Sequence, residues 1–195
     1  MCTELLNEAL LEVEDDDAKS IKDLADYCRL QNDISEGQIK QVESEYRNHT
    51  PIWWYTAETF IYSMHNRGLR VLDVDIILKM GFFIRHLHNH IQELHREQQR
   101  SSVLKKFQVF RGQGLSVADF EKMKKTKGGL MFFNNFLATS RNREISLENF
   151  ARPAIRNPTS VGILFVMNID TAIYTNSSTP FAERLLCEQT EDLGD

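Results

Sequence analysis

Along the first hundred residues the hydrophobic positions recur with a helical period. Ile76, Met80, Phe83, Leu87, Ile91 and Leu94 are spaced four, three, four, four and three apart, which predicts one long amphipathic helix beginning at Asp73. Before it, Thr50 is placed to cap a helix and Pro51 stands at its first position, where no N–H is needed. Trp53, Ala57, Phe60, Ile61 and Met64 carry that stripe towards Gly68. Ile21, Leu24, Ala25 and Cys28 mark a helix from Ser20, and a further one is expected from Glu36 to Tyr46. The rhythm changes near Ser101. Lys106-Phe107-Gln108-Val109-Phe110 alternates and is rich in β-formers, so it reads as a strand. Ser116 opens a short helix through Lys125 that Gly128-Gly129 ends. Phe132 to Thr139 reads as a second strand region, Ser146 to Ile155 as a short helix stopped before Pro158, and Val161 to Met167 as a buried strand. The class is α+β, with an acidic flexible start over residues 1–19, a helical region over 20–100 and a mixed core over 101–195.

Composition narrows the setting. The longest uncharged stretches, Gly128–Ser140 and Asn157–Ile169, are thirteen residues each, too short for a bilayer. The N-terminus is acidic and unlike a secretory signal, and Cys2, Cys28 and Cys187 are odd in number and widely spaced. A reducing, cytoplasmic setting with neither disulfide framework nor structural zinc is expected. The net charge of −5 is uneven: Ser101–Phe181 holds eleven Lys/Arg against five Asp/Glu, or +6, which leaves −11 elsewhere. A basic half suits an anionic small ligand, although balancing of two packed halves gives the same numbers.

Three short segments can carry chemistry. Phe110-Arg111-Gly112-Gln113 closes the first predicted strand. A strand-end arginine can pair with phosphate through two parallel hydrogen bonds, and Gly112 lets backbone approach a flat ligand. Phe136-Leu137-Ala138-Thr139-Ser140 places two hydroxyls where they can hold a ribose or orient a carboxylate, or make a turn. Asn176 to Ala182 is a polar loop stiffened by Pro180.

In order and spacing, Phe110-Arg111-Gly112 followed by Ala138-Thr139-Ser140 resembles the R-S-E class of arginine-specific mono-ADP-ribosyltransferases, with Ala138 in place of the first serine. Gly128-Gly129-Leu130, Asn134-Asn135-Phe136-Leu137 and Val161-Gly162-Ile163-Leu164-Phe165 extend the likeness over about Phe107 to Ala182. The segment from Thr50 to Thr56 is similar to an N-terminal extension of some members. The resemblance implies a split β core with helices packed on it and NAD or NADP held in its cleft as substrate. Arg111 would bind the phosphates, the Gly112 backbone the nicotinamide amide, and Ser140 the nicotinamide ribose. Gln113 and Thr139 would line the site and Phe150 would stack on the nicotinamide. A carboxylate would steady an oxocarbenium-like transition state, and the acceptor would be a protein with an accessible arginine. The family continues to a Glu-x-Glu strand. Here Gln189-Thr190-Glu191 is a formal Gln-x-Glu, which nominates Glu191 as the catalytic carboxylate, but no apolar strand follows it and five acids fall within Glu183–Asp195. The sheet is therefore expected to be incomplete at its C-terminal edge. The alternative is a catalytically inactive NAD-binding or protein-interaction module.

Other constellations read more plainly. His86 and His90 share a helix face with zinc-ligand spacing and His95 follows, but no acid completes a site, so no metal is expected. Trp53-Trp54-Tyr55 reads as core. Lys122, Lys124, Lys125 and Lys127 read as a solvated face, and neither nucleic acid nor membrane is expected as a partner.

Overall fold

The computed structural model describes residues 16–57, 59–100, 106–129 and 136–170. The class is α+β: mostly helix, with one two-stranded antiparallel sheet among the described residues. The described residues fall in two compact units, one within 16–100 and one within 106–170.

The first unit is helical. Its opening helix α1 (Asp17–Gln31) starts inside the acidic run: Asp16 is the N-cap, and its carboxylate accepts from the Ala18 N–H at 3.0 Å. The expectation of a frayed segment through residue 19 is corrected there, because a carboxylate at a helix N-terminus satisfies amides that otherwise lack partners. Residues 1–15 lie outside the described residues. All four stripe positions, Ile21, Leu24, Ala25 and Cys28, are buried. Helix α2 (Glu36–Glu45) is capped by Ser35 and runs into a 3-10 turn at Tyr46–Asn48. Arg29 joins the two helices, reaching Glu36 at 2.9 Å and Glu43 at 2.7 Å, and these guanidinium contacts hold both carboxyls below their usual range.

Thr50 and Pro51 start α3 (Pro51–Thr56) as expected, with the Thr50 hydroxyl accepting from the Trp53 N–H at 3.2 Å. The stripe does not continue as one helix. Ala57 is extended, and α4 (Phe60–Val71) begins afresh. Trp54 rather than Trp53 fills the core: it is fully buried and its indole N–H donates to the Tyr46 carbonyl at 2.9 Å. The expected helix from Asp73 is likewise two, α5 (Val74–Lys79) and α6 (Gly81–Arg100). Met80 accepts from Ile84 and donates to Ile76, both at 2.9 Å, so the stripe stays in phase across the break. Ile76, Met80, Phe83 and Leu87 are buried on it, together with Phe82 and Ile84, whereas Ile91 and Leu94 are partly exposed.

The histidines of α6 have their own partners. His86 Nδ1 shares a hydrogen bond with the Tyr46 hydroxyl at 3.0 Å, and Nε2 faces Asp17 at 3.2 Å. His88 bonds Gln92 at 2.8 Å. His65 is buried between the rings of Tyr55 and Phe83, and burial lowers its pKa to about 4.

The second unit is a ribbon with helices on it. Strand β1 (Lys106–Ser116) pairs antiparallel with β2 (Ser160–Asp170) along their whole length, Lys106 opposite Asp170 and Ser116 opposite Ser160. β1 is thus twice the expected length. β2 covers the expected Val161–Met167 run but is half-exposed rather than buried, with Val166 half open to solvent. Helix α7 (Val117–Lys125) is capped by the Ser116 hydroxyl, ends before Gly128 at φ +85°, and buries no side chain. Lys122 and Lys124 sit in surface ion pairs with Asp119 and Glu121. Phe136–Thr139 is irregular, and Ser140 makes a single bridge, so the described end of the second expected strand is not a strand. From Asn142 the chain winds through α8 (Arg143–Ser146), a π-helical turn (Leu147–Ala151) and α9 (Arg152–Ala154), beginning three residues ahead of the expected helix.

Candidate functional site

The site is built on the middle of β1. Arg111 is the sixth of eleven strand residues rather than the strand's end, a correction to the sequence reading. Glycine is read as punctuation in a sequence, yet here Gly112 and Gly114 continue the strand. Successive strand residues face opposite sides, so Val109, Arg111 and Gln113 share one face and Phe110, Gly112 and Gly114 the other.

The glycine face is occupied. A Cβ on Gly112 would run into the carbonyl oxygen of Ser146 and lie 2.9 Å from the Ala151 nitrogen. One on Gly162 would run into the Ala151 carbonyl oxygen, and one on Gly114 would come within 2.7 Å of the Ala154 Cβ. Gly114 and Gly162 are directly opposite in the register. Together the three glycines make a floor on which the backbone of residues 146–154 rests. The close approach that Gly112 permits is therefore to the chain's own helical segment, not to a flat ligand as its sequence context suggested. Ser146, also buried, donates from its hydroxyl to the Phe110 carbonyl at 3.1 Å.

The edge of β1 is a separate matter. Phe110 and Ser140 exchange both backbone hydrogen bonds, each 2.8 Å. An antiparallel strand turns alternate residues to alternate sides. Arg111 thus bonds towards Phe165 on β2, and Gly112 turns its N–H and C=O to the Ser140 edge.

On the other face, the half-buried Arg111 guanidinium donates from Nε to Gln113 Oε1 at 3.1 Å and from Nη1 to the Ala138 carbonyl at 2.9 Å. Both acceptors are neutral. The described acids of this unit are engaged elsewhere: Asp119 with Lys122, Glu121 with Lys124, Glu144 with Arg143, Glu148 with Arg152 and Asp170 with Lys106. Among the described residues no carboxylate balances the Arg111 charge.

The structure thus brings Arg111, Gly112, Gln113 and Ser140 together. Ser140 accepts from the Asn142 N–H at 3.0 Å through its hydroxyl, so that group closes a local turn. Thr139 is exposed beside it. Phe150, 49% exposed, lies in the π-helical turn on the glycine side of the ribbon, so the structure does not bring it to the Arg111 face as the sequence reading expected. π-helical turns recur at functional sites. Glu191 lies outside the described residues. No family model, curated protein or solved structure matches the chain.

Sequence reasoning missed the parts that shape the site without chemistry of their own: the Ala138 carbonyl, the Ser146 hydroxyl and the paired Gly114 and Gly162. A signal was present in the small residues Ser146, Ala151 and Ala154, which accompany glycines of equal parity on both strands. Among the described residues no three His, Cys, Asp or Glu side chains are grouped to hold a metal ion. No described helix is long and apolar enough to cross a membrane.

Proposed function

We propose that the chain transfers ADP-ribose from NAD or NADP to an arginine of an acceptor protein, releasing nicotinamide, on an ADP-ribosyltransferase-like core. The observation that carries this reading is the half-buried Arg111, whose charge is met among the described residues by neutral acceptors. Such a charge favours an anion, and a guanidinium with part of its donor fork unused suits the two phosphates of a dinucleotide. Beside it, the Gly112 amide and carbonyl face the Ser140 edge, a donor and an acceptor that match a carboxamide such as nicotinamide.

The reaction breaks the bond from the ribose anomeric carbon to nicotinamide, which departs as a neutral pyridine with the bonding pair. A guanidinium nitrogen of the acceptor forms the new bond at that carbon and gives up a proton. A carboxylate opposes the positive charge of the transition state. On the family pattern the candidate for that role is Glu191, the acid of Gln189-Thr190-Glu191. The same observation favours a second reading, an inactive NAD-binding module, should Glu191 not reach the ribose.

Nicotinamide release from NAD with agmatine as acceptor tests both. Release by the parent chain, abolished by Arg111→Ala and by Glu191→Gln, is the expected outcome. Folded parent chain that binds NAD but releases nothing establishes the inactive module, and absence of binding removes both readings.

A further inference from the structure

Strand β2 turns one backbone edge towards β1 and the other away from it. Phe110 uses both its backbone groups on Ser140 and stands opposite Val166, so the Val166 N–H and C=O also point away from β1. The alternation carries this to Gly162, Leu164 and Asn168. Among the described residues none of these four backbones has a hydrogen-bond partner on that side. Monomeric proteins blunt such an edge with lysine, proline, a bulge or a short strand. This edge has none of them. The strand is eleven residues long, its register runs one to one against β1, and Ser160–Ile169 contains neither a charged residue nor a proline. Asp170, at its end, is held by Lys106 at 2.8 Å.

A row of alternating donors and acceptors is completed by one kind of occupant, another extended strand. Charge is what selects a foreign strand, and this edge offers none. A two-fold axis supplies a match without it, because an isologous contact presents the same edge to itself. With the axis through Phe165 the two strands overlap over their full length. Leu164 then faces Val166 of the second copy, Gly162 faces Asn168, and Asp170 faces Ser160, so no charge meets its like. The ribbon gains by it, since two strands alone are marginal in water and three or more with an apolar face are stable. We infer that β2 pairs edge to edge and antiparallel with β2 of a second copy, so that two ribbons form one four-stranded sheet. This inference is independent of the chemistry at Arg111.

The test uses the full chain. Sedimentation velocity over a range of concentrations should show a monomer–dimer equilibrium. Amide exchange, read residue by residue by nuclear magnetic resonance, should slow at Gly162, Leu164, Val166 and Asn168 as dimer forms. The amides of Val161, Ile163, Phe165 and Met167 face β1 and should be protected at every concentration. Val166→Lys puts a charge on the edge at a half-exposed position and should raise the dissociation constant about tenfold. Val117→Lys, a comparably exposed valine of the same unit off that edge, should leave it unchanged. Circular dichroism checks that each variant is folded, and the exchange pattern of the parent chain needs no variant. Monomer at every concentration overturns the inference. So does a dimer that Val166→Lys leaves intact, or one in which the four outward amides exchange freely. Outward amides already protected in the monomer overturn it too, and assign the edge to the chain itself.

Discussion

Replacing Gly112 or Gly162 by alanine tests whether the glycine floor holds the second unit together. The added Cβ would strike the Ser146 carbonyl oxygen in the first case and the Ala151 carbonyl oxygen in the second. Neither obstacle is a side chain that can rotate away. The helical segment must lift, on the order of 1 Å, to restore van der Waals spacing, and such overpacking costs about 1–3 kcal/mol. A two-stranded sheet is marginal by itself, so this is a large share of what the unit has. For a unit of this size the midpoint should fall by roughly 5–20 °C. Both substitutions push on one segment, so the double variant should lose clearly less than the sum, because the second Cβ enters space already opened. Thermal unfolding followed by near-ultraviolet circular dichroism gives the midpoints, and amide exchange across residues 143–154 locates the change. Gly37→Ala is the control: nothing lies within 4 Å of its Cβ, and in a helix it should stabilise by about 0.5–1 kcal/mol. Unchanged midpoints in Gly112→Ala and Gly162→Ala, or strict additivity in the pair, would refute the argument.

Other consequences concern the helical unit. His65 titrates at about 4 when folded and near 6.5 when unfolded, so the unfolded chain binds the extra proton between those values. Its effect on stability is nil above pH 6.5 and grows as pH falls, reaching about 3 kcal/mol of destabilisation near pH 4. Denaturant titrations across that window should show the slope, and His65→Phe should flatten it. Asp16→Ala removes the α1 cap and should cost about 0.5–2 kcal/mol by the same titration at pH 7. Burial raises the Cys28 thiol to about 11, so with Cys2 and Cys187 replaced by serine, a thiol reagent at pH 8 should label the chain only as fast as it opens. Labelling at the rate of a free thiol would show that α1 is not packed as described.

The helices were legible where one face does one job. The stripe from Ile21 to Cys28 and the caps at Thr50, Asp73 and Ser116 are local patterns, and the structure keeps them. The breaks at Ala57 and Met80 were not legible. At Met80 the flanking hydrogen bonds preserve the stripe's phase, so periodicity carries no trace of the break. At Ala57 the chain is extended although the apolar spacing runs on unbroken through it. At the site, Arg111, Gly112, Gln113 and Ser140 were found as a group from their order along the chain. Their setting was misjudged, because a glycine that admits a neighbouring backbone is spelled the same way as one that ends a strand. The loss of strand character over Phe136–Thr139 and the π-helical turn at Leu147–Ala151 also left no mark in the pattern of residue types.

The register of the ribbon has a consequence for how this unit can change over generations. Odd positions 109, 111 and 113 look one way and even positions 110, 112 and 114 the other, so on the proposed function ligand recognition and architecture would be written on the same strand in alternate letters. A saturation scan of residues 109–114, scored separately for abundance and for NAD-dependent activity, should oscillate with a period of two, and the two scores should be out of step. Substitutions on the Arg111 face can accumulate without unseating the helical segment, while a one-residue slip of the ribbon would bring the arginine face onto the floor and be rejected by its bulk. One face can vary here while topology stays locked.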